Sequence, residues 1–88
     1  MAQYQVLYWR HVPAQVKVFP EKGRPVSKVM PARFQEEIDR IAMREGLSGS
    51  DEYLAQWRWT RKQERPGSPD EVLDEVLREL ETNYDSAR

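Results

Sequence analysis

The chain has no cysteine and a single histidine among its 88 residues. Without cysteine it has no disulfide framework, no thiolate zinc site and no cysteine nucleophile, and one histidine cannot form a histidine metal cluster. No apolar run approaches the roughly 18 residues of a membrane-spanning helix, and the first residues lack the basic and apolar blocks of a signal peptide. We therefore expect a cytoplasmic protein that folds by packing alone, with no membrane contact and no cofactor.

A strong excess of one charge is also missing. The formal net charge is -1 although 33% of the residues are charged, so no global field recruits nucleic acid or membrane. The charges are nevertheless segregated, because residues 57–65 are mainly basic and residues 70–81 mainly acidic. A small dipolar surface of this kind suits oriented docking onto a partner. The length predicts one domain over residues 1–88.

Residues 4–19 are predicted to form a β-hairpin around which the rest of the chain is arranged. The first run, from Tyr4 to Trp9, is apolar on both alternating faces, which is typical of a central strand. The second run alternates, with Val16 and Val18 on one face, as an edge strand with one solvated side does. Residues 10–13 form the predicted bend, because Pro13 cannot donate to a strand ladder.

Two helices are predicted from apolar spacing and capping residues. Pro31 suits the first turn of the first helix, and Gly46 ends it. The second helix has Ser68 as its N-cap, Pro69 at its first position and Glu71 completing a capping box. The apolar faces comprise Phe34, Ile38, Ile41, Ala42 and Leu47 in the first helix, and Val72, Leu73, Val76, Leu77, Leu80 and Tyr84 in the second.

The remaining segments are a loop, a helical turn and a third strand. Gly23 and Pro25 predict a mobile loop over residues 21–28. Ser48 or Ser50 is expected to cap a short helical turn through residues 53–54. Residues 56–62 form the predicted third strand, because its two tryptophans alternate with polar residues.

These elements predict an α+β fold with the order ββαβα. The third strand is expected to return beside the first, which gives a three-stranded antiparallel sheet of order 2-1-3. Both helices are expected on one face of that sheet, and the other face is left partly bare. Aromatic and arginine side chains are the expected occupants of the bare face. An exposed apolar patch of this kind usually marks an interaction surface.

The residues support three classes of function to different degrees. Catalysis is disfavoured, because His11 is the single histidine, no glycine-rich phosphate loop is present and the paired carboxylates lie on predicted solvated helix faces. Single-stranded RNA binding has some support, since Tyr8-Trp9-Arg10 and Trp57-Arg58-Trp59 interleave rings with arginine. It is the alternative prediction, because the net charge and the acidic last helix oppose it. A protein-interaction role agrees best, since Trp, Tyr and Arg supply interface hot spots. The open alternative is that these rings all belong to the core and that Arg10 only closes the hairpin.

Three ordered stretches also resemble a known family. They are Tyr8-Trp-Arg-His-Val-Pro-Ala-Gln-Val16, Arg33-Phe-Gln-Glu-Glu-Ile-Asp-Arg-Ile-Ala-Met43 and Asp51-Glu-Tyr-Leu-Ala-Gln-Trp57. They resemble the bacterial virulence-factor domain, which also resembles a segment of conserved virulence factor C. The usual acidic residue after the Trp-Arg pair is His11 here. The resemblance implies a role beside folate- and corrinoid-dependent methyl-transfer enzymes, as an accessory domain for a partner such as a methylenetetrahydrofolate reductase-like protein.

The sequence therefore predicts a non-catalytic accessory domain that docks onto a protein. Arg10 and Gln15 flank the bend and are expected to present fixed polar contacts. For Arg33 and Asp39 a role in surface ion pairs is an equally good interpretation. The predicted contact residues are Trp9, Arg10, Gln15, Arg33, Asp39, Trp57 and Arg58.

Overall fold

A computed structural model describes residues 2–47 and 49–86, which form five strands and three helices. The strands are β1 (Ala2–Trp9), β2 (Val12–Phe19), β3 (Val26–Val29), β4 (Trp57–Trp59) and β5 (Gln63–Arg65). The helices are α1 (Ala32–Arg44), α2 (Asp51–Ala55) and α3 (Pro69–Ser86). Within the same residues, no helix combines the length and the apolar character needed to cross a bilayer.

The sheet is antiparallel and has the order β3-β2-β1-β4, and β5 also pairs with β1. The mixed α+β class is confirmed, and so is the central place of β1 between β2 and the strand that carries two tryptophans. The prediction of three strands in the order ββαβα is wrong. β2 is not an edge strand, because β3 covers its outer side.

The added strand β3 lies in the segment predicted to be a loop. Val18 pairs with Val26 and Gln15 pairs with Val29, so the last three residues of the predicted loop, 26–28, belong to the sheet. Gly23 and Pro25 do prevent regular structure in residues 21–25, but β3 begins directly after Pro25. The backbone groups on the outer side of β2 need partners, and the next stretch of chain supplies them.

The predicted third strand is divided at Thr60. Its hydroxyl oxygen accepts a hydrogen bond from the Val6 amide at 3.0 Å, and its own amide donates to the Val6 carbonyl at 2.9 Å. The Gln5 side-chain amide donates to the Thr60 carbonyl at 2.9 Å. These bonds fasten the chain to β1 between β4 and β5, where the regular ladder is interrupted.

The turn of the hairpin is shorter than predicted. Arg10 and His11 form a two-residue loop, and Arg10 adopts a φ of 55°, the positive value that such loops commonly require. Pro13 lies inside β2 opposite Tyr8, where the register shifts and a bulge forms. A proline is tolerated at a bulge, since no ladder hydrogen bond is demanded of it there.

The helices bury the predicted apolar faces in two clusters. The first cluster consists of Trp9, Val12, Met30, Phe34, Ile38, Ile41, Ala42 and Leu47, and so joins α1 to the hairpin end of the sheet. The second consists of Ala2, Val6, Val16, Val18, Val72, Leu73 and Val76, and so joins α3 to one sheet face. Leu77 and Leu80 pack against both. The two helices therefore share a boundary but not a single core on one face.

The helix ends follow the local capping signals. The Ser68 hydroxyl accepts from the Glu71 amide at 3.3 Å, which confirms Ser68 as the N-cap of α3, and it donates to the Glu71 carboxylate at 3.0 Å. The Ser50 hydroxyl accepts from the Tyr53 amide at 3.2 Å and caps α2. Ser48, the other predicted cap, lies outside the described residues. Gly46, with φ of 69°, follows the end of α1.

Candidate binding surfaces

One face of the sheet carries a transverse row of four side chains from edge to edge. Val29 pairs with Gln15, Gln15 with Leu7, and Leu7 with Trp59, so the four side chains point to the same side. Their neighbours Val6 and Val16 point to the other side, where α3 packs. Val29 is 69% exposed and Trp59 is 41% exposed. We call this side of the sheet, from the row Val29-Gln15-Leu7-Trp59 to Phe19, the open face.

At its far end the open face carries the Phe19 ring, which two lysine side chains approach. The Lys17 ammonium lies 5.4 Å from the centroid of the Phe19 ring, and the Lys62 ammonium lies 4.2 Å from it. Both distances are in the range of a cation–π contact. The open face therefore combines an apolar row with a positively charged end.

The hairpin end of the same face is covered. Trp9 alternates to the side of Leu7, yet it is fully buried, and its indole N–H donates to the Tyr53 carbonyl at 3.0 Å. The Tyr53 ring lies 5.6 Å from the Trp9 ring and 6.1 Å from that of Trp57, which is half-buried. Trp9 is one of the predicted contact residues, but it is not accessible at the surface, because α2 lies over it. Trp9 is a core residue.

Arg10 connects the hairpin turn to the end of α1. Its guanidinium lies 2.6 Å from the Glu45 carboxylate and 5.1 Å from the Trp9 ring centroid. The hydrogen bond from Arg10 holds the pKa of Glu45 below its ordinary value, although partial burial opposes the shift. The backbone amide of Arg10 also donates to the Gln56 carbonyl at 3.3 Å. These contacts agree with the alternative interpretation of the sequence, in which Arg10 closes the hairpin.

The other predicted contact residues lie in different places. Gln15 is part of the open face. Arg33 is exposed on α1 with its guanidinium 4.7 Å from the Phe34 ring, and Asp39 accepts a hydrogen bond from the Gln35 amide at 3.1 Å. Arg58 is exposed on β4 and pairs with Tyr8, so it points away from the side of Trp59. The structure thus does not bring the predicted residues together on one surface.

A second candidate surface is a cleft between the hairpin, α1 and the end of α3. Its volume is about 450 Å³, and it is lined by Tyr8, His11, Pro13, Glu37, Leu80, Asn83 and Tyr84; we call it the hairpin cleft. The His11 and Tyr84 rings are nearly parallel, at 15° and 6.3 Å between centroids. Burial raises the pKa of the Tyr8 hydroxyl, so that hydroxyl remains protonated near neutral pH.

A neighbouring hollow shares two residues with the hairpin cleft. It has a volume of about 550 Å³ and is lined by Tyr8, Arg10, His11, Arg58, Trp59 and Thr60; we call it the arginine hollow. The sequence predicts a bend at His11 and places Tyr84 on the apolar face of the second helix. Only the packing of the end of α3 beside the hairpin brings them together, and no spacing in the sequence signals it.

Metal binding finds no support in the described geometry. Within residues 2–47 and 49–86, no three histidine, cysteine, aspartate or glutamate side chains are grouped closely enough to hold a metal ion. The side chains that line the hairpin cleft instead offer rings, one carboxylate and one amide. Such groups bind organic ligands by stacking and hydrogen bonding.

Comparison with known proteins assigns the chain to a family. A family model described as "Virulence factor" matches residues 7–88, which include every predicted contact residue. Searches of curated proteins and of solved structures gave no match. Because the family model covers nearly the full length, the chain belongs to the virulence factor family.

Proposed function

We propose that this protein is a non-catalytic interaction domain whose open face docks onto a protein partner. The observation that carries the proposal is the row Val29-Gln15-Leu7-Trp59, which crosses four strands with an exposed apolar side chain at each end. Exposed apolar patches on small domains usually mark interaction sites, and tryptophan is a frequent hot-spot residue. Gln15 is the one predicted contact residue that lies within this row.

The pKa values of two glutamates support the non-catalytic part of this proposal. Glu45 and Glu79 have pKa values below the ordinary range, because each accepts a hydrogen bond from an arginine. A catalytic acid needs the opposite shift, toward neutral pH. These carboxylates therefore resemble partners in structural ion pairs.

The partner class is proposed from chemistry and from the family resemblance. Lys17 and Lys62 beside Phe19 favour a partner whose apolar contact is bordered by acidic side chains. The resemblance noted from the sequence favours a cytoplasmic enzyme of folate- or corrinoid-dependent methyl transfer, such as a methylenetetrahydrofolate reductase-like protein. The domain is then an accessory subunit of that enzyme.

The test compares the wild type with one open-face variant and one matched control. The tagged chain is recovered from its native host, the co-purifying methyl-transfer enzyme is identified by mass spectrometry, and the purified enzyme is titrated. Trp59→Ala is expected to weaken binding at least about tenfold, as loss of an interface hot spot does. Met43→Ala, which removes a side chain that is 73% exposed on α1, is expected to leave it unchanged. No methyl-transfer enzyme, or equal binding by both variants, contradicts the proposal.

Single-stranded RNA binding is the second candidate. Exposed cations lie on both sides of Trp59 in the sequence, Arg58 before it and Arg61 and Lys62 after it. Proteins that bind single-stranded RNA combine a stacking ring with such cations, which contact the phosphates. The burial of Trp9 weakens this reading, because one of the expected stacking rings is covered. Titration with a single-stranded RNA at several salt concentrations tests it: steep loss of affinity with salt supports it, and no binding at low salt ends it.

A further inference from the structure

The hairpin cleft has the size and walls of a site for a small organic molecule. Its volume of about 450 Å³ lies within the range of ligand sites in proteins. Two tyrosine rings, the His11 ring, Pro13 and Leu80 provide flat or apolar walls. The His11 and Tyr84 rings form one aromatic wall, since they are nearly parallel. Such walls favour a flat aromatic ligand over a flexible aliphatic one.

The polar groups of the cleft select the kind of ring. Glu37 and Asn83 lie among its lining residues, and the Glu37 side chain is only 17% exposed. The Arg40 guanidinium donates a hydrogen bond to the Glu37 carboxylate at 2.6 Å, which fixes the orientation of that carboxylate. A carboxylate is a pure acceptor with up to about four lone-pair directions. It therefore suits a nitrogen heterocycle with N–H donors along one edge.

The adjacent arginine hollow supplies a place for negative charge. It shares Tyr8 and His11 with the hairpin cleft, so the two hollows adjoin across these side chains. Arg10 is held by Glu45, whereas Arg58 forms no ion pair with any residue in the described ranges 2–47 and 49–86. An exposed guanidinium of this kind binds carboxylate or phosphate oxygens in a bidentate manner.

From these observations we infer that the hairpin cleft and the arginine hollow form one site for a small anion that carries a flat nitrogen heterocycle. The ring lies against Tyr84 and His11 with its N–H edge toward Glu37, and the anionic group lies at Arg58. This inference does not depend on docking at the open face.

Guanosine 5′-monophosphate is the probe, because guanine presents neighbouring N–H donors and the phosphate provides the charge. It is titrated into the isotope-labelled full chain and followed by amide chemical shifts. Saturable shifts at Tyr8, His11, Leu80 and Tyr84 are expected. Guanosine, which lacks the phosphate, is expected to bind about tenfold more weakly, and ribose 5-phosphate, which lacks the base, equally so, since each loses its hydrogen bonds to one charged side chain.

Variants separate the two halves of the site. Arg58→Gln is expected to weaken the nucleotide about tenfold and to leave guanosine unchanged, whereas Glu37→Gln weakens both. Arg61→Gln, an exposed cation outside both hollows, is the charge control and is expected to change neither. Val29→Ser damages the open face but leaves nucleotide binding intact, so failure of the docking proposal is distinguishable from failure of this one.

The inference is overturned by three results. The first is the absence of saturable shifts at millimolar nucleotide. The second is equal weakening by Arg58→Gln and Arg61→Gln, which would reveal a general charge effect. The third is equal affinity for the nucleotide and guanosine, which would leave Arg58 without a role. Amide spectra and melting temperatures of the variants confirm that each one is folded.

Discussion

The three tryptophans of this small domain occupy three different environments. Trp9 is fully buried, Trp57 is half-buried, and Trp59 is 41% exposed, although all three side chains point to the same side of the sheet. Their position along the strands makes the difference, because Tyr53 and α1 cover the hairpin end and leave the row of Leu7 and Trp59 uncovered. One residue type thus serves the core at one end and the candidate docking surface at the other.

This contrast predicts unequal costs for the same substitution. Trp9→Phe removes the hydrogen bond to the Tyr53 carbonyl and leaves unfilled volume in the first cluster. We expect a loss of about 2 kcal/mol in the free energy of unfolding. Trp59→Phe is expected to cost less than about 0.5 kcal/mol, as most surface substitutions do. Urea unfolding of both variants measures the difference, and equal losses would mean that Trp59 also supports the fold.

At the scale of elements, local sequence signals were enough to predict helices α1 and α3. The Ser68 and Glu71 cap of α3 depends only on residues three positions apart, and the apolar spacing of α1 identified Phe34 and Ile38 as buried. Such interactions are encoded within one or two turns. Prediction from sequence therefore succeeded where the partners are near neighbours.

Strand limits and both candidate surfaces depend on distant partners. The edge strand β3 forms because β2 has unpaired backbone groups beside it, and β4 ends because Thr60 bonds to Val6, 54 residues earlier. The open face depends on the register that aligns Val29 with Gln15, and the hairpin cleft on where α3 ends. None of these partners has a signature in the neighbouring sequence, which is why the sequence predicted a bare face but only Gln15 of its row as a contact residue.

A paired arginine joins β5 to α3 and makes that contact sensitive to pH. The Arg65 guanidinium donates to both oxygens of Glu79, at 2.5 and 2.8 Å. This hydrogen bonding lowers the pKa of Glu79 from its ordinary value of 4.5. A carboxyl whose pKa is lowered by folding adds stability above that ordinary value, and the added stability is lost as the pH falls through the lower value of the folded state.

Glu79→Gln is therefore expected to lower the melting temperature at pH 7, because it removes the charged partner of Arg65. The expected decrease is only about 2–4 °C, because water screens exposed ion pairs. The difference from the wild type should shrink below pH 4.5 and vanish in stronger acid. Glu75→Gln is the matched control, since its carboxylate lies 3.6 Å from the Arg65 guanidinium, beyond the distance of a good hydrogen bond. Melting curves across the acid range measure both, and a difference that persists in acid would contradict the role of charge.

At the scale of the molecule, two clusters meet at a narrow boundary. α1 belongs to the first and α3 to the second, and Leu77 and Leu80 pack against both. The Tyr84 ring of α3 also contacts the Phe34 ring of α1, with 5.0 Å between the two ring centroids. Because the hairpin contributes Trp9 to one cluster and Val6 to the other, loss of either cluster exposes part of the same two strands. This arrangement favours unfolding of the chain as one unit.

Leu80→Ala tests that expectation. In a Trp59→Phe background the fluorescence reports on Trp9 and Trp57 in the first cluster, while far-ultraviolet circular dichroism reports mainly on the helices. The variant is expected to lose about 1–2 kcal/mol, since Leu80 is half-buried, and both signals should keep one common urea midpoint. Leu54→Ala, at a leucine that is 65% exposed, makes the same chemical change and is expected to cost less than about 0.5 kcal/mol. Separate midpoints for the two signals would mean that the clusters unfold independently and that residues 2–86 contain two cooperative units.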